Sequence, residues 1–255
     1  MGILFLPFFQ SYFTIFNFKP LHGAYENIDK PELKWFTWKS WFNEKFQTNF
    51  NKSIEANFGF RNFLIRLNNQ IDYSFFKKSN AKNVVVGLSD CLYEEGYILD
   101  YTGKNFAGAD SLDRVLKRTK ELQDFLKKNK NIDLIIVFEP GKASYFPEFI
   151  PNRYKPKNKS ISNYEYLSNK CKLLNINHLD LNAWFKTLKD TSQFPLFPKY
   201  GVHWSTYGMY LATDTLLKFI EKTRNIDIVN FHIKKINATN KIKDADFDIE
   251  QTLNL

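Results

Sequence analysis

Cysteine is scarce in this chain. Cys91 and Cys171 are the only two in 255 residues, too few and too far apart for a zinc site or a disulfide framework. Buried thiols, or at most one bridge, are expected, and the redox compartment stays open. Histidine is also sparse. His22, His178, His203 and His232 show neither H-x-H nor H-x-x-x-H spacing, so no metal is expected. No G-x-G-x-x-G follows an apolar run and no P-loop is present, so no nucleotide cofactor is expected. Helix-turn-helix, RRM and zinc-finger signatures are missing, so no nucleic-acid partner is expected. Acid is in deficit: 27 Asp and Glu against 36 Lys and Arg leave a net charge of +9. The lysines are spread along the chain, slightly denser at "NRYKPKNKS" (152–160). A basic surface of this kind attracts anionic lipid or acidic polysaccharide.

Long apolar runs are missing except at the N-terminus, "MGILFLPFFQSYFTIFNF". It lacks the positive start of a signal peptide and is short for a membrane span of roughly 20 residues. Leu6 stands where a myristoylation signal needs Ser or Thr. Residues 1–18 read as an apolar anchor or anchor remnant, with membrane association through residues 3–16. An amphipathic or buried first helix is the alternative.

Aromatics are abundant: 26 Phe, 13 Tyr and 5 Trp. They suit either carbohydrate-stacking surfaces or, more simply, a base-composition bias whose rings pack inside. A hydrophobic share of 44% and a charged share of 25% are those of a globular chain. The length suits one large domain or a domain with a small appendage.

Residues 19–80 read as a linker (19–33) and a helical segment. Phe63, Leu64, Leu67, Ile71 and Phe75 fall at helical spacing and predict a helix over about 60–77, with its rings packed. From 81 onward strands and helices alternate. "NVVVGL" (83–88) and "IDLIIVFEP" (132–140) predict buried strands, and "NHLDLNAWF" (177–185) a strand entering a helix. Helices are predicted over 112–130, 162–176 and 205–223, the last capped by Ser205. Such alternation predicts an α/β fold, a parallel sheet flanked by helices. Functional residues then gather at the strands' carboxyl ends: 87–90, 139–142, 180–182 and the loop of "FPKYGVHWSTYGMY" (197–210). His203 sits in that loop, where a neutral imidazole can take a proton from a hydroxyl if a carboxylate orients it.

"YGVHWSTYG" resembles the Asp-x-His-Trp region of the alginate O-acetyltransferase family, the AlgX/AlgJ-like branch of SGNH hydrolase-like proteins. "NVVVGLSDCLYEEGYILDYTG" (83–103) and "VFEPGKASYFPEFIP" (137–151) are similar to two further segments of that family, in the same order. The resemblance implies a circularly permuted SGNH-hydrolase-like domain over 81–255. It also implies acetyl transfer to an exported polysaccharide in the periplasm or cell envelope, with the acetyl group supplied by a membrane-bound O-acyltransferase. His203 would be the triad base. Lys142, Trp204 and Tyr200 would be substrate-binding, with Trp204 shaping the pocket and Lys142 alternatively holding the active-site loop. Two departures stand out. Gly201 occupies the family's aspartate position, leaving Asp180, with Glu139 and Asp90 behind it, as the candidate orienting acid. The family's nucleophile lies downstream in a Gly-Asp-Ser turn, and no Gly-Asp-Ser occurs here. Ser89, in "GLSD", is out of place in the family order. The resemblance therefore implies an incomplete, C-terminally truncated domain whose serine lies beyond this chain. A catalytically inactive polysaccharide-binding or assembly module is the competing reading.

Overall fold

The computed structural model describes residues 5–23, 36–228, 232–237, 239, 241–242 and 244–255. Most of the linker expected over 19–33 lies outside the described residues. The chain divides into two compact units, residues 1–82 with 251–255, and residues 83–250.

The first unit is helical. Its helices are α1 (Leu6–Phe13), α2 (Trp38–Phe42), α3 (Lys45–Asn57) and α4 (Arg61–Phe76). Pro7 sits in the first turn of α1, where a missing N–H costs nothing. Thr37 and Ser40 form a reciprocal capping box on α2. Gly59 lets the α3–α4 corner approach α1, since a Cβ there would lie 2.1 Å from the Pro7 carbonyl oxygen. The helix predicted over 60–77 is α4, but its stripe is not buried: Phe63, which meets the Phe18 ring, and Leu64, Leu67, Ile71 and Phe75 are all exposed. Among the described residues no helix is long and apolar enough to cross a membrane. α1 has only eight residues and exposes Phe8, Phe9, Tyr12 and Phe13.

The second unit carries the strands. β1 (Val84–Val86) and β2 (Leu92–Glu94) pair antiparallel, so the first strand forms a hairpin rather than joining a parallel sheet. Its turn returns within five residues, too few for the crossover that a parallel partner needs. Ser89 and Asp90 in that turn take left-handed φ of 55° and 59°, uncommon for residues with a Cβ. Gly87 admits the close pass of Cys91 and Phe149, whose carbonyl oxygens would each lie 2.6 Å from an added Cβ.

Helix α5 (Glu95–Thr102) follows, then the long α6 (Ala109–Lys130). α6 buries Leu112, Leu116 and Gln123, while Val115, Leu122 and Phe125 stay exposed. β3 (Ile136–Phe138), short helix α7 (Lys142–Tyr145), α8 (Asn163–Leu173) and β4 (His178–Asp180) come next. β3 and β4 pair parallel, with Ile136 opposite His178 and Phe138 opposite Asp180. β3 is half-buried, not buried on both faces. Among the described residues the parallel sheet thus has two strands, flanked by helices. α9 (Leu181–Leu188) and α10 (Thr206–Arg224) complete the layer, Ser205 capping α10 through the Gly208 N–H at 3.1 Å. Short helices α11 (Asp244–Phe247) and α12 (Glu250–Leu253) end the chain.

Among the described residues, three apolar clusters hold this unit. One gathers Val85, Cys91, Tyr93, Ile98, Ala143 and Ile150; the second, Tyr145, Leu181, Phe185, Leu196, Phe197 and Ala212; the third, Leu116, Cys171 and Ile176. Both cysteines are free, buried thiols.

Candidate active site

The site is built on the loop from 195 to 205 and the turn that follows β3. The loop closes on itself where Ser205 donates its N–H to the Leu196 carbonyl and its hydroxyl to the Pro195 carbonyl, at 2.8 and 2.6 Å. β2 anchors it through the Leu92 N–H, 3.0 Å from the Lys199 carbonyl. Lys142 pins it from beneath. Its Nζ donates to the carbonyl oxygens of Lys199 (2.9 Å) and Gly201 (2.6 Å).

Lys142 has no exposed surface, so it does not meet a ligand. Its expected substrate-binding role is corrected to its alternative: it holds the loop. Burial lowers its pKa to about 8, against the partial opposition of Cys91 and Asp248. A buried ammonium persists only where donors are matched by acceptors, and two carbonyls together with the face of Tyr93, 5.6 Å away, provide that match.

His203 projects from the pinned loop with two-thirds of its side chain exposed. Its Nε2 lies 3.7 Å from Asp248 Oδ2. The other oxygen of Asp248 accepts the N–H groups of Val202 (2.9 Å) and Ile249 (2.8 Å). One carboxylate thus fixes the backbone beside the histidine and faces its ring. Asp248 was missed in the sequence. It lies in an acidic stretch that reads as a helix start, and no local spacing connects it to His203.

Asp180 does not meet His203. Its carboxylate caps α9 through the Ala183 N–H at 2.8 Å and accepts the Tyr164 hydroxyl at 2.9 and 3.0 Å. The choice of Asp180 is therefore corrected: a strand-end aspartate that begins a helix is engaged by that helix. Trp204 is half-buried, its ring 5.5 Å from that of Phe185 in the second apolar cluster. Tyr200 is half-buried beneath the Lys199 ammonium, 5.4 Å from its ring. Ser89 is exposed in the β1–β2 turn. Among the described residues no serine hydroxyl pairs with His203, and no three His, Cys, Asp or Glu gather as a metal site.

The arrangement is that of an imidazole with one nitrogen facing a carboxylate and the other free to take a proton. Residues 84–244 match the family model described as an SGNH hydrolase-like domain, acetyltransferase AlgX. Among solved structures, the O-acetyltransferase domain of Pseudomonas putida AlgJ is similar, with 20% identity and a TM-score of 0.44 over 58% of this chain and 50% of that one. The chain thus spans about half the length of that solved domain. No curated protein matches it. Asp248 falls just past the matched stretch, whereas the Lys142 turn and the His203 loop both lie inside it. On that match, which covers more than half of the sequence, the chain belongs to the AlgX family of SGNH hydrolase-like acetyltransferase domains.

Proposed function

We propose that this domain serves O-acetyl transfer to an exported polysaccharide, with His203 as general base and Asp248 as the carboxylate that orients it. The observation that carries the reading is the approach of Asp248 to His203 on a loop held by Lys142. Gly201 cannot orient an imidazole, and Asp248 supplies a carboxylate from another segment. A serine hydroxyl is a poor nucleophile until a base accepts its proton. With Asp248 on Nε2, Nδ1 of His203 takes that proton as the oxygen attacks an acetyl ester. The donor's alkoxide leaves with the proton from Nδ1, and an acetyl-serine remains. A sugar hydroxyl then gives its proton to the same nitrogen as it takes the acetyl group, and the departing serine oxygen recovers that proton from Nδ1. The serine is one that the described residues do not place at His203. In this reading a membrane-bound O-acyltransferase delivers the acetyl group in the periplasm or cell envelope. The exposed rings of α1 are the part of residues 3–16 that meets the membrane surface.

The test is acetyl transfer from a chromogenic acetyl ester to a polysaccharide acceptor, using the protein produced from its native gene. Asp248→Asn is expected to lower turnover by roughly 10² to 10⁴, as loss of an orienting carboxylate does, and His203→Ala to abolish it. Unchanged turnover in His203→Ala sinks the proposal. The exposure of His203 and the glycine at 201 favour one second reading, a module that holds polysaccharide without chemistry. Acceptor binding with no turnover in the unaltered protein selects it.

A further inference from the structure

The carboxyl ends of β3 and β4 open onto a cavity of about 480 Å³ that the acyl transfer above does not use. Its volume is within the range of small-molecule sites. α5 contributes Tyr97 and Tyr101, and the first turn of α8 contributes Tyr164. The Phe138 ring stands edge-on to Tyr164, with centroids 5.7 Å apart. Below them Asn182 is buried and accepts the Ser144 hydroxyl at 3.0 Å. Aromatic faces beside amide, hydroxyl and carboxylate groups suit a sugar ring, which presents C–H bonds on its faces and hydroxyls on its rim.

The charge of the cavity narrows the ligand further. Asp100, Glu139 and Glu165 line it against one cation, Lys186. Glu165 is neutralised by Lys159 at 2.5 Å and bound to the Ser162 cap. Lys186 sits 5.4 Å over the Tyr164 ring. Asp100 accepts the Asn105 amide at 3.1 Å, and Glu139 has no partner among the described residues. The Tyr97 hydroxyl likewise has none. Burial raises its pKa, with further upward pressure from Glu94, Glu139, Asp100 and Asp248. That phenol remains a donor, and it feels both the cavity's acids and the acid beside His203.

We infer that this cavity is a subsite for a sugar ring without a carboxylate, neutral or amino, and that it disfavours a uronate. The inference rests on the polysaccharide reading of the neighbouring His203 site. The net charge of +9 draws polyanions toward the whole surface, but that attraction fades beyond a Debye length. Within the cavity two carboxylates oppose one ammonium, and selection occurs at contact.

Calorimetric titration of the full chain at 0.15 M salt tests this, with glucose, glucosamine and mannuronate tetramers as probes. Glucose and glucosamine tetramers are expected to bind, and the mannuronate tetramer about tenfold more weakly, the order of effect of one uncompensated like charge at a partly solvated site. Glu139→Gln, at an exposed side chain, should narrow the gap between mannuronate and glucose by raising mannuronate affinity. Tyr97→Phe, which keeps the ring, should weaken all three several-fold. Mannuronate binding as tight as glucose, or no binding of any tetramer, overturns the subsite. If tetramer binding responds to Glu139 as described while acetyl transfer fails, only the acyl-transfer reading falls.

Discussion

The helical unit and the α/β unit use aromatic residues in opposite ways. In the α/β unit, Tyr93, Tyr145, Phe185 and Phe197 are buried among aliphatic neighbours and other rings. In the helical unit Trp38, Phe42, Phe75 and Phe13 stand largely exposed. Of the five buried residues in its described part, Gln10, Asn69 and Asn254 carry amides. Those amides do structural work of their own. Asn254 accepts the His22 N–H at 2.7 Å and donates to the His22 carbonyl at 3.1 Å. Gln10 pairs in the same way with Phe16, at 3.0 and 2.7 Å. Asn69 donates to the Leu253 carbonyl at 2.8 Å. Side-chain amides here replace the pairing that a sheet would give irregular backbone. Richness in Phe and Trp therefore does not locate a core; what surrounds each ring does.

The contrast makes its largest prediction at Phe185. Phe185→Ala leaves a hole beside Phe197 and Trp204, and should cost about 3–5 kcal/mol in chemical denaturation. A loss below 1 kcal/mol would break the claim that the α/β unit is held by ring packing.

Lys142 comes next. Its pKa of about 8 lies below the ordinary value of 10.5. Between those values the unfolded chain binds more protons, so stability rises with pH across the window. Below pH 8 the penalty is fully present. Tyr93 and Tyr164, whose phenols are pushed upward by burial, work in the opposite direction above about pH 10. Unfolding compared at pH 7 and 9.5 should therefore show a gain of about 2 kcal/mol that Lys142→Met lacks. An equal pH response in both proteins would remove Lys142 as its source.

Asn254→Ala should cost about 1–2 kcal/mol by removing its two bonds to the His22 backbone. Proteolysis within the helical unit should then quicken while the α/β unit is unaffected. The smallest effect is expected at Phe75, 79% exposed. Phe75→Ala should shift stability by no more than about 0.5 kcal/mol. A larger loss would mean that the ring is covered in solution.

Much of the helix placement in both units was legible from local pattern. α4, α8, α9 and α10 lie where periodicity and caps place them. Ser205 and Ser162 cap their helices through side-chain oxygens, a relation confined to three or four residues and so readable in one dimension. The β1–β2 hairpin was not anticipated, because "VVV" is equally consistent with parallel and antiparallel pairing. The packed face expected for Phe63 to Phe75 failed for a similar reason: an apolar stripe states which side can be buried, not whether anything lies against it.

The site divides along the same line. The sequence by itself determined the helical and strand segments, the His-Trp loop, the lysine after β3 and the family to which they belong, because these depend on neighbours in the chain. Tertiary structure alone decided that Lys142 faces inward to two carbonyls, that Asp180 is held by α9 and Tyr164, and that Asp248 reaches His203. A carboxylate's partner depends on distance in space, and 44 residues of intervening chain leave no trace of that distance in the letters.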